Sequence, residues 1–215
     1  MNAPQPISMS RAMTCREADS PIDPLFVRRW SPRAFEPVDM AHADLHTVLE
    51  AARWAPSAYN IQPWRFIYAH REDACWDRWV GLLDPFNAAW AHCASVLVFL
   101  VTDTLMPARG DTPRRPSRSH SFDAGAAWAQ LALQATQLGY QAHAMAGIDV
   151  DRVKAELDVP DHYRVEIGIA IGRVAAPDCL PDELRAREVP SGRMPLTQIA
   201  FHGRFDRIPA GDEHD

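Results

Sequence analysis

Residues 54–66 combine two prolines, four aromatic rings and three uncharged polar side chains in one irregular stretch, WAPSAYNIQPWRF. The stretch is too irregular for a helix and too rich in proline for a central strand, so we expect a shaped loop. Ser57, Asn60 and Gln62 could hydrogen-bond a flat heterocycle that the prolines and rings enclose. The alternative is an ordinary turn whose polar groups bind its own backbone.

Two arginine-containing segments have the composition of anion sites. Residues 26–35, FVRRWSPRAF, place three arginines and a serine within six positions, and residues 191–193 read Ser-Gly-Arg near the other end of the chain. Arginine and phosphate form charge-assisted, often bidentate hydrogen bonds, and exposed amides beside glycine add to such sites. The first segment could also be a surface arginine cluster that solvates a helix end.

Composition limits the classes of function. The chain has 215 residues, 47% hydrophobic and 23% charged, which suits one globular domain. Its formal net charge of −6 argues against general nucleic-acid binding, which requires a basic face. Lys154 is the only lysine, so an anion site must depend on arginine.

Cysteine spacing and hydropathy predict a reduced, cytoplasmic protein with no membrane partner. Cys15, Cys75, Cys93 and Cys179 include no CxxC pair and form no zinc-like pattern with the histidines, so no metal site is expected. The longest apolar run, 96–101, is far below the roughly 20 residues of a membrane helix. Residues 1–20 lack a hydrophobic signal core and are expected to form a flexible tail before one domain, 21–215.

Hydrophobic periodicity predicts the elements that must position these segments. Asp39 is expected to cap the helix that precedes the loop. Segment 104–121 contains three prolines and four arginines, which indicates an exposed loop, either a solvated linker or a substrate lid. The predicted helices are 39–53, 74–82, one around Trp90 within 85–93, 122–138 and 149–157; the predicted strands are 65–69, 95–101, 141–145 and 164–171.

No dinucleotide glycine fingerprint, Walker loop or nucleophile elbow occurs. A phosphorylated flat cofactor would suit both the arginine segments and the loop. Residues 29–35 are similar to the Arg-x-Ser-x-Arg/Lys-x-Phe opening of the FMN-dependent nitroreductase family, and residues 55–64 resemble its Pro-Ser-x-x-Asn-x-Gln-Pro-Trp motif. Residues 145–149 and 191–196 resemble later segments of that family in the same order, so the resemblance covers about 25–205.

The resemblance implies an α+β fold with a mostly antiparallel central sheet of four to five strands wrapped by helices. It also implies an intertwined homodimer with FMN at the subunit interface and a C-terminal tail that reaches the partner's sheet. The implied activity is a ping-pong transfer of hydride from NADH or NADPH, through the flavin, to a small acceptor such as a nitroaromatic or a quinone. A flavin-binding protein without turnover is the alternative, because the same motifs bind flavin in either case.

The resemblance also assigns residues. The two arginine segments would hold the phosphate and ribityl side, the loop would approach the ring from the other subunit, and the amides of 146 and 147 would point at flavin N5 and O4. No side chain is expected to act as a catalyst. Many relatives carry glutamate where this chain has Ala146 and lysine where it has Ser191, and the second departure predicts weaker FMN binding. The predicted cofactor-binding residues are Arg29, Trp30, Ser31, Arg33, Pro56, Ser57, Asn60, Met145, Ala146, Gly147, Ser191 and Arg193.

Overall fold

A computed structural model describes residues 16–205. Most of the predicted N-terminal tail, 1–15, and the end of the chain after 205 lie outside the described residues. No helix of the described part is long and apolar enough to cross a membrane.

The α-helices are Pro24–Arg28 (α1), His42–Arg53 (α2), Trp76–Val80 (α3), Pro85–Ala91 (α4), His120–Gln137 (α5), Val150–Glu156 (α6) and Asp182–Arg185 (α7). The strands are Trp64–His70 (β1), Val96–Asp103 (β2), Leu105–Met106 (β3), Arg115–Pro116 (β4), Gln141–Met145 (β5) and Tyr163–Gly172 (β6).

The central sheet has four strands in the order β1-β2-β6-β5, and each neighbouring pair is antiparallel. Strand β2 lies inside because its apolar, β-branched sequence is buried from Val96 to Thr102. The predicted α+β class and all four predicted strands are therefore confirmed, with ends that differ from the predicted ones by two residues or fewer.

Strand β2 divides the core into two layers because its side chains alternate between the two faces of the sheet. Val96, Val98 and Leu100 pack in the layer formed with α2 and α5. The other set, which includes Phe99, packs with α3, α4 and α6, and the ring of Phe99 lies 5.3 Å from that of Trp79. Helices thus cover both faces of the sheet.

Helix α5 confirms the predicted central helix. Ala124, Ala127, Leu131 and Ala135 are buried on one face and belong to the layer shared with α2 and the sheet. Because three of these four side chains are alanine, the helix axis can approach its neighbours closely. The helix ends before Gly139, which takes a φ of 84°, a conformation that favours glycine.

Two local predictions were wrong, and one short helix was not predicted. Asp39 does not cap α2, because it lies two residues before the N-cap position, Ala41, and the helix begins without a side-chain cap. Helix α3 is shorter than the predicted 74–82 because only Trp76–Val80 completes α-helical hydrogen bonding. Helix α1 was not predicted, although its first turn is capped by Asp23, whose Oδ1 accepts from the Leu25 amide at 2.8 Å.

Segment 104–121 contains a small hairpin that sequence reasoning did not predict. Strands β3 and β4 pair antiparallel, and Arg109 and Thr112 form a bridge near the tip. The guanidinium of Arg114 pairs with the carboxylate of Asp103 at the end of β2. The prolines are compatible with this ladder because it has only two residues on each strand and lies apart from the main sheet.

Candidate functional site

The loop that joins α2 to β1 has an unusual backbone. Tyr59, Asn60 and Gln62 all have positive φ, at 53°, 55° and 49°, although none is glycine. The Ser57 hydroxyl accepts from the Gln62 amide at 3.0 Å, and the Gln62 side chain donates to the Asn60 carbonyl at 3.1 Å. Three left-handed residues within four positions are costly, and such conformations concentrate at functional sites.

This loop is fastened to the start of α5 by Asp123. The Asp123 carboxylate is 3% exposed, and its Oδ2 accepts from the Ala58 amide at 3.2 Å and from the Ser119 hydroxyl at 3.1 Å. The hairpin approaches from the other side, where the Arg109 guanidinium lies 5.0 Å from the centre of the Tyr59 ring. Sequence reasoning missed Asp123, although an acidic residue on the apolar face of a predicted helix's first turn is a usable signal.

Pro56 and Asn60 are exposed on this loop, and Ser57 is half-buried. The side chains of Ser57 and Asn60 each accept a hydrogen bond from Gln62 within the loop. An ordinary turn that binds its own backbone and side chains would show such bonds. Asn60 is exposed, although its Oδ1 accepts from the Gln62 side chain at 3.2 Å. The structure therefore combines a self-bonded turn with an exposed, strained surface that can take a ligand or a partner.

The first arginine segment borders a pocket of about 410 Å³ beside α5. Arg29 donates from Nη1 to the Ser31 hydroxyl at 3.2 Å, and the amide of Trp30 donates to Oε1 of Gln141 at 3.2 Å. Alanines of α5 leave the space that the pocket occupies. Its lining residues are Phe26, Arg29, Ser31, Trp128, Ala129, Ala132, Leu133 and Ala144.

The two arginine segments, 164 positions apart, converge. Burial lowers the pKa of Arg29, and the positive charges of Arg193 and then Arg16 lower it further. Guanidinium groups from opposite ends of the chain are therefore close enough to repel one another. Such a concentration of positive charge favours an anion between them.

Arg33 lies in a different environment from Arg29. Its Nε is buried and has no hydrogen-bond partner among the described residues. Burial lowers the pKa of Arg33, and Arg187 adds to that effect while Glu188 opposes it. A buried donor without a partner carries an energetic penalty that an anionic ligand would remove.

Glu188 holds the backbone of the first arginine segment in place. Its side chain is 5% exposed, and Oε1 accepts from the amides of Arg33 and Ala34 at 2.7 and 2.8 Å. The contact joins residues 155 positions apart. Sequence reasoning missed it because nothing near Glu188 in the chain indicates so distant a partner.

His143 supports the same segment from β5. Its Nδ1 lies 2.8 Å from the carbonyl oxygen of Pro32, and its ring lies 4.7 Å from that of Trp90. Burial lowers the pKa of His143 to about 4, with the Pro32 carbonyl opposing the shift and Arg33 adding to it. The ring is neutral at physiological pH, so Nδ1 carries the proton and donates it to Pro32.

Residues 145–147 lead from the end of β5 toward α6 and contact the N-terminal end of α4. The Met145 side chain is buried in the core, while Ala146 is exposed. The Gly147 carbonyl accepts from the Asp84 amide at 3.1 Å and the Asn87 side chain at 3.0 Å. Gly147 does not have a positive φ. Glycine is required here for space, since a Cβ would lie 1.8 Å from Oδ2 of Asp84.

The closing segment lies open on the surface. Every residue from 191 to 200 is exposed, and Arg193 Nη1 donates to the Gly192 carbonyl at 2.7 Å. Several large apolar side chains in and beside the segment are more than half exposed, which is unusual for a surface that stays in water. They are Val189, Met194, Leu196, Ile199 and Phe205.

Within one chain, the predicted residues form two groups on α5. Arg29 and Ser31 line the pocket beside Ala132, whereas the loop with Ser57 is fastened at Asp123. These two α5 positions are nine residues apart, about 13 Å along a helix that rises about 1.5 Å per residue. The two groups are separate surfaces of a single chain.

Known proteins resemble this chain over most of its length. The model of the Nitroreductase family matches residues 27–173. A solved structure of an oxidoreductase containing FMN is 49% identical, with a TM-score of 0.87 over 92% of this chain and 99% of that chain. An NADH dehydrogenase of Thermus thermophilus is 28% identical over 201 residues, 81% of this chain and 92% of that protein. A CLA biosynthesis enone reductase of Lactiplantibacillus plantarum is 28% identical over 180 residues, 68% of this chain and 82% of that protein.

Replacing Glu188 tests its hold on the arginine segment. Glu188→Ala leaves two amides without an acceptor, and we expect it to lower the free energy of unfolding by about 1–3 kcal/mol for each amide. Urea denaturation measures the change. Glu188→Gln keeps an acceptor oxygen and should lose less, and Glu183→Ala, at an exposed position of α7, is the control. Equal stability of Glu188→Ala and Glu183→Ala would contradict this role.

The lowered pKa of His143 predicts a pH dependence of stability. Between an unfolded pKa of about 6.5 and the folded value of about 4, the unfolded chain binds a proton that the folded chain does not. The His143 contribution is therefore complete above about pH 6.5 and falls by about 3 kcal/mol as the pH decreases to about 4. Urea denaturation across this range should show a steeper loss for the parent protein than for His143→Gln. Parallel pH curves would show that His143 is not held neutral by the fold.

Proposed function

The chain belongs to the nitroreductase family, and from that premise we propose that it is an FMN-dependent oxidoreductase that transfers hydride from NADH or NADPH to a small acceptor. A nitroaromatic, a quinone or an activated enone is the acceptor class, and a ping-pong cycle is the kinetic form. The FMN-containing oxidoreductase at 49% identity supports the cofactor. The similarity to an enone reductase supports the inclusion of enones among the acceptors.

The pocket lined by Arg29 and Ser31 is the observation that carries this proposal. The positive charge of Arg193 adds to that of Arg29, whose pKa it lowers, and a phosphate monoester with nearly two negative charges would relieve this repulsion. The Ser31 hydroxyl, already in contact with Arg29, can donate to the same group. The buried Nε of Arg33 provides another donor on the same segment. These residues fit the phosphate and ribityl part of FMN.

The other predicted residues would serve the flavin ring. The strained loop presents Pro56, Ser57 and Asn60 on one surface, and the exposed Ala146 leaves the backbone near 146 and 147 accessible. When bound, FMN would supply the hydride chemistry, accepting from the nucleotide and donating to the acceptor. The role of the chain is to bind and orient it with fixed backbone dipoles and to limit solvent access. No protein side chain is required as the hydride donor or acceptor.

A homodimer is part of the proposal because each chain alone leaves its two groups apart. The exposed apolar side chains of segment 189–205 need a cover, and the loop residues Trp54 and Tyr59, exposed by 71% and 69%, form a second such surface. Burial of these surfaces against a second copy would stabilise the assembly. The loop of one subunit would then face the phosphate group of the other.

Arg29→Ala tests the phosphate site. We expect the affinity for FMN to fall by about 1.5–3 kcal/mol, the contribution of a hydrogen bond to a charged group, or roughly ten- to a hundredfold in Kd. Fluorescence titration of the flavin-free protein measures the change. Arg28→Ala is a matched control because Arg28 is adjacent, exposed and outside the pocket lining. If the two variants bind FMN equally, the phosphate lies elsewhere.

The activity is tested by mixing flavin-loaded protein with NADH or NADPH in the absence of oxygen. We expect at least one nucleotide to bleach the flavin absorbance, and menadione or nitrofurazone to restore it. A protein that is colourless and takes up no FMN would contradict the cofactor assignment. A bound flavin that neither nucleotide bleaches would instead support a flavin-binding protein without turnover.

A further inference from the structure

Three potential metal ligands meet on the side of α2 that adjoins the end of β1. His42 lies in the first turn of α2, His70 is the last residue of β1, and Glu72 lies in the turn that follows. One ligand atom from each can be chosen so that all three lie within 4.8 Å of one another. The Nε2 of His42 is 3.7 Å from Oε1 of Glu72, and the two imidazole centroids are 3.9 Å apart.

His70 distinguishes this group from a chance surface cluster. Its side chain is 1% exposed, yet neither ring nitrogen has a hydrogen-bond partner among the described residues. Its backbone amide is used separately, since it donates to Oδ2 of Asp73 at 2.8 Å. A buried imidazole without any partner carries a desolvation penalty. A metal ion bound to one of its nitrogens would offset that penalty.

We propose that His42, His70 and Glu72 bind one Zn²⁺ per subunit. Two imidazoles and a carboxylate suit zinc, whereas Mg²⁺ and Ca²⁺ prefer sites made of oxygen ligands. Ligands around tetrahedral zinc at about 2.0–2.1 Å lie roughly 3.3 Å from each other, so a small rotation of exposed side chains is sufficient. His42 and Glu72 have 66% and 43% of their side chains exposed and can make that adjustment. Water completes the coordination.

The position in the fold gives the site a structural role. Helix α2, the strained loop and β1 form one continuous unit, with the loop at one end and the three ligands at the other. Zinc would join the start of the helix to the end of the strand and so fix both elements that position the loop. This inference does not depend on the proposed redox activity. The sequence gives no signal for this site, because the three ligands share no motif.

The test is a calorimetric Zn²⁺ titration of the full-length, flavin-loaded protein after chelator treatment. We expect saturable binding of one Zn²⁺ per subunit at this site, together with a zinc-dependent rise in Tm. His42→Ala and Glu72→Gln remove exposed ligands with little risk to folding, and each should weaken binding by about tenfold or more. The zinc-dependent rise in Tm should disappear with them.

Cysteines elsewhere in the chain are the main competitors for zinc, and Cys93 lies 3.3 Å from the Nε2 of His92. His92→Ala is therefore the matched control, and we expect it to bind zinc at the site with unchanged affinity and to keep the rise in Tm. Loss of binding in His92→Ala with full binding in His42→Ala would overturn the proposal. So would the absence of saturable zinc binding by the parent protein.

Discussion

Close packing of α5 against the sheet is the constraint from which both halves of the candidate site follow. Alanines at 124, 127 and 135 allow the helix to lie near β2 and α2 without a gap. The first turn of the same helix directs Asp123 at the loop, and its middle turns leave the pocket beside Arg29. A larger side chain on this face would move the loop and the phosphate pocket together.

Electrostatics oppose the folding of this region and prepare it for binding. In the folded chain, the positive charges of Arg193 and Arg16 act on Arg29 and lower its pKa. The buried Glu188 uses its Oε1 to accept hydrogen bonds from two backbone amides. The charges of Arg29 and Arg193 repel each other at this point, although the total charge of the chain is −6. A bound phosphate would offset this cost, which couples cofactor binding to stability. The left-handed residues of the loop also cost energy in the folded chain, and such strain persists where a function requires the geometry.

Much of the fold could be predicted from local patterns, and most of the support for the site could not. The four main strands and α5 followed from β-branched runs and from a clear helical period, which are properties of neighbouring residues. The contacts made by Glu188, Asp123 and His143 join residues 65–155 positions apart, and no local pattern specifies such partners. Gly147 shows a different limit of prediction from sequence. The sequence does not distinguish a glycine that is required because a side chain would not fit from one that is required for its backbone angle. The Asp39 cap was wrong because α2 begins after Ala41 without a side-chain cap, and sequence alone locates helix ends only to within a few residues.

The central claim is that the arginine cluster recognises a phosphate. Comparing the affinities of the flavin-free protein for FMN and for riboflavin isolates this interaction, because the two ligands share the ring and the ribityl chain and differ in the phosphate. If two or more charge-assisted hydrogen bonds are made, FMN should bind more tightly by about 3 kcal/mol or more, roughly a hundredfold in Kd. Equal affinities for FMN and riboflavin would contradict the account.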